Sequence, residues 1–121
     1  MIIRSQTLNA GWGFDEEGDY VTFYADHISV RCYLMTASVA QKVVEGLPAA
    51  DDLEERPINV IFQGHIPSVS ARCSPAFNDW AHPVNICLAD DLWVSFLLPK
   101  ELADKLTASI KAAAEVAKAY A

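Results

Sequence analysis

The chain has 121 residues, 52% of them hydrophobic and 21% charged, with nine Lys or Arg against sixteen Asp or Glu and a formal net charge of −7. That length and composition predict a single acidic domain over residues 1–121 and exclude a disordered chain. The acidic excess argues against direct nucleic-acid binding and against docking on an anionic membrane, since both draw on Lys and Arg.

Met1 to Arg4 is followed by the polar Ser5 and Gln6, so the start lacks the apolar core of a secretory signal. Asp15, Glu16, Glu17 and Asp19 form the first acidic group. Their spacing lacks the alternating ligands and distal Glu of a calcium loop and reads as a hairpin turn, with Gly18 at a positive-φ position. Tyr20 to Ala25 carries β-forming side chains, Asp26-His27 reads as a turn, and Ile28 to Leu34 alternates as the returning strand. Thr36 is suited to cap a helix with Val39, Ala40, Val43 and Leu47 as its apolar stripe and Gly46 at its stop.

The second acidic group, Asp51, Asp52, Glu54 and Glu55, lies in a loop from Pro48 to Arg56. Pro57 to Phe62 reads as a strand and His65 to Arg72 as another, placed at a sheet edge because Pro67 cannot donate to a ladder. Residues 73–82 read as an irregular connection. Pro83 to Leu88 and Leu92 to Leu98 form a second hairpin around Asp90-Asp91, the third acidic group. Pro99 opens a helix running to about Tyr120, with Leu102, Leu106, Ile110, Ala113, Ala117 and Tyr120 on one stripe. The apolar run from Leu92 to Pro99 is too short to span a bilayer.

Residues 20–47 and 83–120 share a ββα order and align at an offset of 64, with Ala25-Asp26 on Ala89-Asp90 and Val30 on Val94. This pattern predicts an α+β domain: a mostly antiparallel sheet of about 5–6 strands with two helices on one face and a ββα pseudo-repeat. The helices would cover Val21, Phe23, Val30, Cys32, Val94 and Phe96. The opposite face would then present Tyr20, Thr22, Tyr24, Arg31, Tyr33, Asn85, Cys87, Trp93 and Leu97. Tyr, Trp and Arg are enriched at protein interfaces, so this face reads as a binding or dimer face. The plainer alternative makes Trp93 and Leu97 ordinary core, covered by the segment around Trp12 and Phe14.

The acidic groups read either as solvated turns or as a rim complementary to a basic partner. Cys32, Cys73 and Cys87 are an odd number without short pairing, which fits free thiols in a reducing cytoplasm. No ligand spacing marks a metal site, and no phosphate loop or nucleophile elbow is present, so neither metal nor cofactor is expected. The expectation is a cytoplasmic, non-enzymatic interaction protein. It would bind another, basic-surfaced protein through Asp15, Glu16, Glu17, Asp19, Tyr24, Arg31, Tyr33, Asp51, Asp52, Asp90, Asp91 and Trp93. An inhibitor of a nucleic-acid-handling protein, of the anti-defence type carried by phage and mobile elements, fits that description. The alternatives are a structural homodimer, or a small enzyme or ligand carrier using His27, His65 or His82 with a nearby thiol.

Overall fold

A computed structural model describes residues 1–33, 36–49, 58–63, 70–73, 80–89 and 92–119. Along the chain these form β1 (Ile2–Arg4), β2 (Asn9–Asp15), β3 (Gly18–Tyr24), β4 (Ile28–Tyr33), α1 (Ala37–Glu45), β5 (Ile58–Gln63), β6 (Ser70–Cys73), β7 (His82–Ala89), β8 (Leu92–Leu98) and α2 (Lys100–Ala119). The α+β class holds. The expectation of one mostly antiparallel sheet is corrected: the strands form two mixed four-stranded sheets, ordered β1-β8-β7-β6 and β2-β3-β4-β5.

The reason lies in how parallel strands are connected. Both β2-β3-β4 and β6-β7-β8 pair as antiparallel meanders. A fourth strand parallel to the last one cannot follow through a tight turn and needs a crossover. In one sheet α1 supplies the crossover from β4 to β5, which pair in parallel from Ile28↔Ile58 to Tyr33↔Gln63. In the other, β8 takes β1 from the far end of the chain as its parallel neighbour, with Ile3 opposite Phe96. Backbone bonds from Ser95 N to Met1 O (2.8 Å) and from Ser5 N to Leu97 O (3.0 Å) extend that pairing. Each half of the chain therefore gives its first strand to the sheet built on the other half's meander.

Local chemistry explains the individual elements. The β2–β3 turn places Gly18 at φ +128°, a conformation that side chains resist, while the Asp15 carboxylate accepts from Glu17 N at 2.8 Å. Thr36 caps α1 by accepting from Val39 N, and Gly46 ends it. Leu106, Ile110 and Ala113 are buried along α2 together with Ala103 and Ser109, and Glu101 pairs with Lys105 one turn on. The strand expected over 92–98 is β8; of the strand expected over 65–72 the described part is within β6, Ser70–Cys73, which ends its sheet among the described residues. Residues 64–69, including Pro67, fall outside the described residues.

α1 packs on β2 and β3, α2 packs on β6, β7 and β8, and the helices pack on each other. One core results. Val21, Phe23, Val30, Cys32, Val94 and Phe96 are all buried in it. Phe23 and Phe96 meet edge-to-face with centroids 5.6 Å apart, joining the inner faces of the two sheets. The helices cross closely where Ser109 Oγ donates to Val43 O, and a Cβ at Gly46 would lie 2.9 Å from Ser109 Cβ.

A hydrogen-bonded knot ties the β1–β2 connection to the β3–β4 turn. Asp26 accepts from Thr7 Oγ1 at 2.6 Å and from Gln6 N at 3.1 Å, while Asp26 N donates to the buried Ser5 Oγ at 2.9 Å. The Thr7 bond, above all, holds the Asp26 carboxyl below its ordinary range. Such a group adds stability in full above its unfolded value, and the contribution fades as pH falls through the lower folded value.

Two outcomes follow. Gly46→Ala should lower stability by about 1–3 kcal/mol, read as a reduced urea midpoint, because the new methyl meets the Ser109 Cβ and backbone rather than a flexible tip. Asp26→Asn should destabilise at neutral pH, and the difference from the parent should shrink in melts taken below pH 3.8, where the parent carboxyl itself takes up its proton.

Candidate functional site

Alternation along β3 and β4 puts one polar and aromatic set on the face of the second sheet opposite the helices. Tyr20, Thr22 and Tyr24 stand on β3, and Ser29, Arg31 and Tyr33 on β4, with Thr22 opposite Arg31 and Tyr24 opposite Ser29. On β2 the same face carries Asn9, Gly11, Gly13 and Asp15, and the ring of Tyr20 lies over Gly13. Gly13 leaves room for the Tyr20 ring from the neighbouring strand, where a Cβ would lie 2.7 Å from Tyr20 Oη.

Arg31 is the centre of the group. Its guanidinium carbon stands 4.2 Å from the centroid of the Tyr20 ring, and Nη1 donates to Tyr33 Oη at 3.3 Å. Tyr33 Oη in turn donates to Asp15 Oδ2 at 2.5 Å, and the same carboxylate oxygen lies 4.0 Å from Arg31 Nη1. The Tyr20 and Tyr33 rings are tilted against each other with centroids 5.3 Å apart. Four side chains from three strands are thus locked together, half-exposed, with one positive and one negative charge among them.

The electrostatics follow the contacts. The Tyr33 hydrogen bond holds the Asp15 carboxyl below its ordinary range, helped by backbone donors at Glu17 and Gly18 and by Arg31. The same bond pushes the Tyr33 phenol up, since a phenolate would face the carboxylate. Arg31 is raised, first by its bond to Tyr33. On the inner side of the same strand, burial pushes the Cys32 thiol up to about 12, so it carries no nucleophilic thiolate near neutral pH.

The residues expected in the site divide. Asp15, Tyr24, Arg31 and Tyr33 share this face, and Glu16 and Glu17 are exposed at the turn beside it. Asp19 pairs with Phe14, on the face opposite Asp15 and Tyr20. Trp93 is 36% exposed on β8, in the other sheet, so it is not part of the same surface. The cover proposed for it is corrected as well: Trp12 and Phe14 lie on β2, 38% and 76% exposed, and β1 is the strand beside β8. Asp51, Asp52, Asp90 and Asp91 lie outside the described residues. Tyr20 belongs to the centre of the group. Alternation with Tyr24 already put it on the right face, and only its stacking on Arg31 needed the fold.

Around Trp93 the outer face of the first sheet has its own character. Ile2, opposite Ser95, is 73% exposed, and the Arg4 guanidinium carbon stands 4.5 Å from the Trp80 ring centroid. Ser95 Oγ donates to Asn85 Oδ1 at 2.6 Å across the β7–β8 pair. His27 is exposed, and the Asp26 carboxylate next to it is engaged by Thr7 and Gln6 instead. Among the described residues no three His, Cys, Asp or Glu side chains converge to hold a metal ion, and no helix is long and apolar enough to cross a membrane.

Comparison with known proteins found no matching family model, no matching curated protein and no matching solved structure.

Tyr33→Phe removes the donor that does most to depress Asp15. Its carboxyl should then titrate closer to its ordinary value of 3.8, as read from carbon chemical shifts during an acid titration. An unchanged Asp15 titration would show that the bond does not exist in solution.

Proposed function

We propose that the chain is a non-enzymatic interaction protein that binds a basic-surfaced protein through the outer face of the second sheet. The observation that carries this reading is the Tyr20–Arg31–Tyr33–Asp15 group. Large aromatic side chains are here held in place before binding, which lowers the ordering cost that an interface must overcome. Tyr and Arg are also the residue types that most often dominate binding energy. Because Arg31 and Asp15 offset each other, the field around the face is set by the exposed Glu16 and Glu17 and by a chain of net charge −7. That field favours a partner with a positive rim and raises its association rate more than its final affinity.

The finer reading is an inhibitor that occupies the phosphate-binding surface of a nucleic-acid-handling protein, working in the cytoplasm. The shared order of strand, meander and helix in the two halves supports the further proposal that the ββα units at 20–47 and 83–120 descend from a duplication. A homodimer built on a sheet face is the second reading, and exposed Ile2 beside Trp93 on the first sheet is the observation in its favour.

The test is affinity capture with the parent and with an Arg31→Ala/Tyr33→Ala bait, both checked for folding by circular dichroism. The expected outcome is a basic protein retained by the parent, lost from the double variant, and released as salt rises. Identical captured sets on the two baits would overturn the reading.

A further inference from the structure

The second sheet has a feature that its face does not require. β5, Ile58-Asn59-Val60-Ile61-Phe62-Gln63, is the last strand of that sheet, and among the described residues only β4 pairs with it. Natural edge strands are usually protected from pairing by charge, proline or a bulge. β5 has no charged residue and no proline in its six positions, and its parallel register with β4 runs unbroken from end to end. Ile58 is 53% exposed and Ile61 51% exposed, and alternation puts them on opposite faces of the sheet. Among the described residues an uncharged strand thus offers both an unpaired backbone ladder and apolar cover on either side of it.

We propose that this edge is an interface between two copies of the chain, with β5 pairing antiparallel to β5 of the second copy in a continuous eight-stranded sheet. Charge selects that occupant. Two molecules of net charge −7 repel each other over most approaches, and an uncharged strand is where they can meet without setting carboxylates face to face. Pairing a strand with its own copy satisfies both open ladders and closes on a two-fold axis, so no further edge of this kind is left to propagate. Continuity of the sheet sets the register. Outer-facing side chains must meet outer-facing ones, so the axis passes through a residue of β5 and not between two. With the axis at Ile61 that side chain meets its own copy, and Asn59 stands opposite Gln63 of the second copy.

The pairing changes what the chain presents. Arg31 lies opposite Ile61 in the β4–β5 ladder, so the two Arg31 groups would stand three strand spacings apart, roughly 14 Å, on one joined face. A partner contacting both gains the effective concentration of a two-site ligand.

The experiment is sedimentation equilibrium on the full chain across a concentration series, with circular dichroism to verify folding. The parent should show a monomer–dimer equilibrium. Ile61→Lys replaces a half-exposed side chain, so the fold should survive, while two ammonium groups facing each other at the axis should raise the dimer Kd by at least about tenfold. Ile2→Lys, on the edge of the other sheet, should leave the Kd unchanged. Should Ile61→Lys fail to fold, Asn59→Lys on the same outer row takes its place and should weaken the dimer in the same direction. A strict monomer for the parent overturns the proposal. So does a dimer untouched by the β5 variant, or one dissociated by Ile2→Lys, which would put the interface on the first sheet. None of these outcomes depends on the Arg31 face binding a partner, so either proposal can fail alone.

Discussion

Parallel pairing is the constraint on which the rest of this fold depends. Two antiparallel meanders, each followed by a helix, would make two three-stranded layers with a helix apiece. What binds them into one body is that each sheet's fourth strand comes from the other half: β5 beside β4, and β1 beside β8. Neither half can complete its sheet alone. The edge-to-face contact of Phe23 with Phe96 and the Ser109–Val43 bond between the helices then lie at the seam of two mutually dependent halves.

The same arrangement separates the chain's surfaces by chemistry. The outer face of the second sheet concentrates Tyr20, Tyr24, Arg31 and Tyr33, with Asp15 reaching in from the hairpin end. The outer face of the first sheet has Ile2, Arg4 and Trp93 with a Ser95–Asn85 pair. Sequence position alone would merge these into one surface. Their separation is a result of topology, and it matters because a partner covering one sheet does not reach the other sheet's outer face by simple extension.

Strong local signals made much of this legible. The alternation in 28–34 and 92–98, the cap at Thr36, the stop at Gly46 and the stripe of α2 each reflect a short-range rule acting on neighbouring residues. Of that stripe Leu106, Ile110 and Ala113 are buried in the core, Leu102 and Ala117 pack against it half-buried, and Tyr120 lies outside the described residues. β1 was not legible because three residues are too few for a period to show. β2 hid for a different reason. Ala10, Trp12 and Phe14 alternate as a strand should, but Gly11 and Gly13 between them suppress the β-forming signal. Of the two, Gly13 is what admits Tyr20 onto the face. The site was half legible on the same grounds: alternation placed Tyr20, Tyr24, Arg31 and Tyr33 together. Asp15 read as one more acidic turn residue, since nothing local marks a carboxylate that will meet a phenol eighteen residues on.

The exchange of first strands also has a direction in time. β1 precedes β2 to β8 in the chain and leaves the ribosome before them, yet its neighbour β8 begins at residue 92. While β2 to β7 are being made, Ile3 has no strand to lie against, because Phe96, its partner across the ladder, has not yet been synthesised. Closure of the first sheet therefore waits for the synthesis of β8. Long-range pairings of this kind make folding slow, since loop entropy must be overcome before the contact forms. The second sheet is spared that wait, because β2, β3, β4 and β5 are complete by residue 63. The sheet that carries the tyrosines and Arg31 can assemble while β6 to β8 are still inside the exit tunnel.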